Sequence, residues 1–124
     1  MINFYLFTAG ILAFCAGLMH SIFGERFFIP KLRLSERQLD IGNEKYINRT
    51  LRSAWHLATV ACWSSASLLI LFAFHPGDAT MQTVVEVIAV FYVISGVLSI
   101  FISHGRQPLW LLFFIMSLLC VIGL

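Results

Sequence analysis

The sequence predicts an all-α integral membrane protein: a four-helix bundle running up-down-up-down, with both termini on the non-cytoplasmic side. Composition is the first observation behind this. Of 124 residues 60% are hydrophobic and 11% charged, against about 25% charged in an average soluble domain. A soluble domain this small has too little interior to hide that much apolar surface, whereas a bilayer accepts apolar side chains on the outside as well. The second observation is four apolar runs, at about residues 2–23, 53–74, 82–103 and 108–124. Each reaches roughly 17 to 22 residues, or about 25 to 33 Å as helix, enough for the hydrocarbon layer. The third is the distribution of charge. All eight basic residues (Arg26, Lys31, Arg33, Arg37, Lys45, Arg49, Arg52 and Arg106) fall in two connections that share one side.

The helical elements follow in order. The first helix is expected over about 2–23. Leu12-Ala13-Phe14-Cys15 is loosely like a lipoprotein cleavage site, but Phe14 is too bulky before the cysteine and no Lys or Arg precedes the run, so the segment reads as a retained helix. An interfacial segment is expected over about 30–43, where Ser35 and Gln38 have capping-box spacing and Leu32, Leu34, Leu39 and Ile41 interleave with Arg33, Glu36, Arg37 and Asp40. After a break near Gly42, Asn43 is placed to cap a long second helix over 44–74. His75-Pro76-Gly77-Asp78 ends it and starts the third, at 82–103. The His104 to Gln107 turn leads to the fourth, at 108–124. Backbone amides in lipid must be satisfied within the segment, and the chain is too short for a closed barrel, so helices are the only option.

Packing and orientation are also legible. Small residues recur every four positions, at Ala9, Ala13, Gly17 and Ser21 and again at Ala54, Ala58, Cys62 and Ala66, and these two faces are expected to meet. Ser64, Ser65, Ser67, Ser95 and Ser99 read as hydrogen-bond donors between helices. Ser-Ile-Phe recurs at 21–23 and 99–101, each time followed by a Gly, an Arg and a Pro, which suggests a duplicated hairpin. The positive-inside rule places the basic side in the cytoplasm, and in a bacterium the membrane is the inner one. Topology accounts for the basic residues, so no nucleic acid is expected as a partner. Cys15, Cys62 and Cys120 lie in separate apolar runs without metal or disulfide spacing and read as small buried hydrophobes.

Ionisable groups in or near a span are costly in lipid and so are candidate sites. His20, His56 and His104 each fall within about one turn of the basic end of a helix, so antiparallel passages bring them to one depth. Imidazole suits zinc, copper, nickel or iron, with Glu25 or Glu44 completing the shell; His20, His56, His104 and Glu25 are thus the expected metal ligands. Arg26, Arg52, Trp55 and Arg106 cap the same end and are the expected cofactor- or headgroup-binding residues, with Trp110 at the same level. On the other side, Glu86 and His75 are expected to pair or to serve proton transfer. No hydrolase elbow, phosphate loop or zinc-protease motif occurs.

Two resemblances rest on these residues. His20-Ser21-Ile22-Phe23-Gly24-Glu25-Arg26 resembles the His-x3-Gly-x-Arg segment of the cytochrome b anchor subunits of succinate dehydrogenases. This would imply a haem b ligand at His20 and a nearby quinone site. The match covers seven residues, Phe27 stands where that family has a second histidine, and four spans replace three. The stretches Gly17 to Ser21 with Gly24 to Arg26, Leu51 to Leu57 and Gly105 to Trp110 together resemble small uncharacterised four-helix inner-membrane proteins of bacteria, which implies the topology and no activity.

The expectation is therefore a single membrane domain over 1–124, lipid-embedded and open to a homodimer or larger complex. It binds a metal ion or small cofactor at its cytoplasmic end as an accessory or binding protein. A haem- or quinone-associated redox subunit and a lipid-modifying enzyme are the alternatives.

Overall fold

A computed structural model describes residues 1–31, 44–106 and 108–124, the side chains of Glu44 and Lys45 excepted. The interfacial segment expected over 30–43 lies almost wholly outside these residues, together with its capping box and the Asn43 cap. The described chain is all-helical: α1 is Phe4–Phe23, α2 is Glu44–Ala73, α3 is Ala79–Ser103 and α4 is Leu109–Ile122. Three of these helices are long and apolar enough to cross a membrane.

Three helices differ from expectation in their bounds, α3 by beginning at Ala79 instead of 82, where the Asp78 carboxylate accepts from Thr80 N as its cap. The first helix does not stop at residue 23; it widens into a π-helical turn over Gly24–Phe28 and continues to Lys31. Pro30 cannot donate to the carbonyl one turn back, and the turn before it is the widened one, a common way of accommodating such a residue. The fourth helix has only 14 residues, about 21 Å, which is short of a full hydrocarbon crossing. By contrast α2 has 30 residues, about 45 Å, longer than a bilayer requires.

The chain divides into two compact units. The first comprises Met1–Ala13 and Ser65–Leu124. At its core the Tyr92 side chain is fully buried and its hydroxyl shares a 2.8 Å hydrogen bond with Ser65 Oγ. The buried Ser117 hydroxyl donates to the Ala89 carbonyl at 3.0 Å, joining α4 to α3. Polar side chains join helices here because a hydroxyl with no water available must find a protein acceptor. Of the serines expected to act this way, Ser65 does so, whereas Ser64 and Ser95 donate to carbonyls one turn back in their own helices. Asn3 ties three segments together: its Oδ1 accepts from the Tyr5 and Leu6 amides as a cap on α1, its amide nitrogen donates to Gly123 O at 2.6 Å, and its backbone N–H donates to Ala73 O. The outer surface is apolar, with Val87 64% and Ile102 79% exposed.

The second unit is Phe14–Ser64. Here the small-residue stripes meet only in part, at Gly17, where an added Cβ would lie 3.5 Å from Cys62 Cβ. Ala16 and Gly17 of α1 are buried, but Ala54 and Ala58 of α2 are exposed, and Trp55, Thr59 and Trp63 face α1 instead. The Trp63 ring stacks on Phe14 at 5.3 Å and its N–H donates to Phe14 O. A bulky indole fits against a helix only where that helix lacks side chains, and α1 supplies such places at Gly17 and Gly24: a Cβ on Gly17 would lie 2.8 Å from the Trp63 ring, and one on Gly24 would overlap the Trp55 indole.

Candidate functional site

The polar centre of the second unit is Glu25. It lies in the π-helical turn, where an i to i+5 pattern puts one extra residue into the turn and so re-aims every side chain that follows. Its carboxylate meets two side chains from α2. Arg52 donates from Nε to Oε1 at 2.9 Å and from an Nη to Oε2 at 2.6 Å, the two-pronged arrangement that a planar guanidinium and a carboxylate make naturally. His56 lies 2.9 Å from Oε1 through Nε2, and its Nδ1 lies 3.2 Å from Ser21 Oγ. A neutral imidazole with its proton on Nε2 satisfies both neighbours, donating to the carboxylate and accepting from the hydroxyl. Arg52 and His56 are four residues apart on one face of α2, and Ser21 at the end of α1 and Glu25 in the π turn that continues it are also four apart, so the constellation is two adjacent side-chain pairs clasped together.

Beside this clasp lies an aromatic layer. The His20 ring stacks on Trp55, with centroids 4.3 Å apart and planes within 3°, and Phe28 stacks on the same indole at 4.8 Å. The Trp55 N–H donates to His20 O at 2.9 Å, four residues before the π turn begins. His20 Nε2 is buried and has no hydrogen-bond partner among the described residues.

These positions correct the expected metal centre. Among the described residues, no group of three or more His, Cys, Asp or Glu side chains is gathered where it could hold a metal ion. Glu25 has its oxygens taken by Arg52 and His56, His56 has both nitrogens engaged, and the His20 ring lies flat against Trp55. His104 has another task in the first unit. It ends α3 in a left-handed conformation, φ 50°, with its N–H returned to Ile100 O, and Gly105 follows with φ 73° and donates to the same carbonyl.

Of the residues expected to bind a cofactor or headgroup, Arg52 is already paired and Trp55 is half-buried in the stack. Arg26 and Arg106 are exposed, and neither has an ion-pair partner among the described residues. The expected pairing of Glu86 with His75 is absent: His75 Nδ1 is 3.1 Å from Leu71 O, and Glu86 has no partner among the described residues.

Ser21, His56 and Glu25 stand in the order of a nucleophile, base and orienting acid. Two features argue against that chemistry. The carboxylate that would stabilise an imidazolium is already neutralised by Arg52 through both oxygens. Ser21 also lies inside α1, where backbone N–H groups are committed to the helical ladder and none turns toward a developing oxyanion. The arrangement is suited to holding two helix ends in register while leaving exposed cations around them.

Sequence reasoning named Glu25, Arg52, His56, His20 and Trp55 but missed Ser21, Phe28 and the role of Gly24. The i, i+4 spacing of Ser21 with Glu25 and of Arg52 with His56 was the available signal. Comparison with protein families, curated proteins and solved structures found no match to this chain.

Proposed function

We propose that this chain is a small multi-pass protein of a bacterial inner membrane that works by binding, and that its basic end, facing the cytoplasm, holds an anionic lipid headgroup. Both termini then lie on the far side, as the positive-inside rule requires of helices that alternate in direction; for the short α4 this is supported by the 2.6 Å bond from Asn3 to Gly123 O, which holds its end beside the start of α1. The observation that carries the reading is the clasp itself. Glu25 is consumed by Arg52 and His56, so the exposed Arg26, Lys31 and Arg49 are left without an ion-pair partner among the described residues. Trp55, with Phe28 and the exposed Phe27, supplies the aromatic belt that sits at headgroup level. A phosphate meeting such a rim gains from each nearby cation without displacing an internal partner.

The test uses the intact protein in mixed bilayers of phosphatidylcholine and phosphatidylglycerol, with spin-labelled lipids reporting which headgroup dwells at the protein surface. The wild type is expected to prefer the anionic lipid. Replacing both Arg26 and Arg49 by Gln lowers that preference, by up to about fivefold per charge removed. Glu25→Gln raises it, because Arg52 is released. An unchanged preference in the double variant would contradict the reading.

A further inference from the structure

Glu86 is out of place on α3. It is exposed, it has no hydrogen-bond or ion-pair partner among the described residues, and it shares a face with Val90, Val93 and Val97, which are 57%, 41% and 39% exposed. These four positions recur at intervals of four, three and four, the spacing of a seam along one side of a helix. Glu86 is seven residues into a 25-residue helix, about 10 Å from its start. A helix of about 37 Å exceeds the hydrocarbon layer by about 7 Å, so a centred α3 puts the Glu86 backbone roughly 7 Å below the headgroups. The side chain leans back toward the helix start but is too short to cover that depth. The nearest polar neighbours on the helix do not relieve it, since the Thr83 hydroxyl is bonded to Ala79 O and Asp78 caps the helix through Thr80 N.

A carboxylate facing hydrocarbon calls for a cationic partner. A second copy of this chain has no Lys or Arg to offer at that level, and its His75 imidazole lies in the turn before α3 with Nδ1 3.1 Å from Leu71 O. Copies insert in the same orientation, and in the sequence all eight Lys and Arg residues fall at 26–52 and 106, in the connections that the alternation of spans assigns to the other side. We propose that the Glu86, Val90, Val93 and Val97 face of α3 is a docking surface for a transmembrane helix of a different protein, one that carries a Lys or Arg at the depth of Glu86. The valines suit this role, because their stiff side chains lose little freedom when another helix packs against them. Docking here requires α3 to cross the bilayer and is independent of headgroup binding at the basic end.

The test pairs the full chain with synthetic leucine-alanine helices in phosphatidylcholine liposomes, read by energy transfer between labels. One peptide carries a single Arg at the matching depth, a second carries Leu there, and a third carries the Arg at the other end. The expected result is association of the first peptide alone, weakened about tenfold by E86Q and restored by E86D. Equal association of all three peptides, or insensitivity to E86Q, would overturn the proposal. So would Glu86-dependent energy transfer between labelled copies of the chain without peptide, which would assign the face to self-association. Helical circular dichroism and resistance to alkaline extraction are recorded for each variant. A wild-type chain washed off by alkali would overturn the membrane reading along with the docking.

Discussion

At Gly24 the missing side chain decides where Trp55 can lie. Adding one methyl group there overlaps the indole, and the indole cannot yield without giving up its bond to His20 O and its stacking on His20 and Phe28. Gly24→Ala is therefore expected to cost about 1 to 3 kcal/mol by overpacking. It should also red-shift the tryptophan fluorescence as Trp55 moves outward; an unshifted spectrum with unchanged thermal stability would mean that the indole is not held as described. The chemistry of the site was readable at this scale and its geometry was not. Glu25, Arg52 and His56 announce themselves as ionisable groups near a span. Their pairing depends on the π turn, since one residue added to a turn rotates all that follows by about 100° and no residue type in Gly-Glu-Arg-Phe-Phe dictates it. His104 was misread for a related reason: an imidazole looks like a ligand by composition, while its place before a glycine at a helix end gives it a backbone role.

Elements are fixed more firmly by pattern. The second helix ends at Ala73 against an expected 74, because Pro76 after it is strong punctuation. The first helix outran expectation, since Gly24 and Pro30 look like terminators. In fact Gly24 admits an indole and Pro30 follows a widened turn. A period of seven in glycine, at 10, 17 and 24, was available in the sequence and overlooked in favour of the four-residue alanine stripe. Each of these glycines receives a large side chain from α2, respectively Ile70, Trp63 and Trp55. The starts and ends of elements are also where Asn3 acts, capping α1 and reaching both the end of α2 and the end of α4. Asn3→Leu removes the cap and leaves Gly123 O without its donor, which is expected to cost roughly 1 to 3 kcal/mol. Thermal unfolding in detergent would read this directly, and a midpoint within error of the wild type would show that the three contacts do not hold the segments together.

For the molecule as a whole, the balance of forces is set by its outside. Side chains such as Leu57, Val87, Phe101 and Ile102 are at least 64% exposed, which water would not tolerate over so much of a small protein and lipid does. The few polar groups then carry disproportionate weight. Inside the first unit they find one another, as Ser65 does Tyr92; in the second they make the clasp around Glu25; and Glu86 is exposed on α3 without a partner among the described residues. Composition foretold the class because it counts apolar residues. It says nothing about α4, whose 14 residues fall short of a crossing although its run looked long enough. Orientation is decisive: the clasp and its cations meet cytoplasmic headgroups only if the basic end faces inward. Cysteine labelling in intact cells tests this most directly, with Cys15, Cys62 and Cys120 replaced by Ala and a single cysteine introduced at Pro76 or at Pro108, both exposed. A membrane-impermeant maleimide is expected to label Pro76→Cys from outside and Pro108→Cys only after permeabilisation; the reverse pattern would contradict the account.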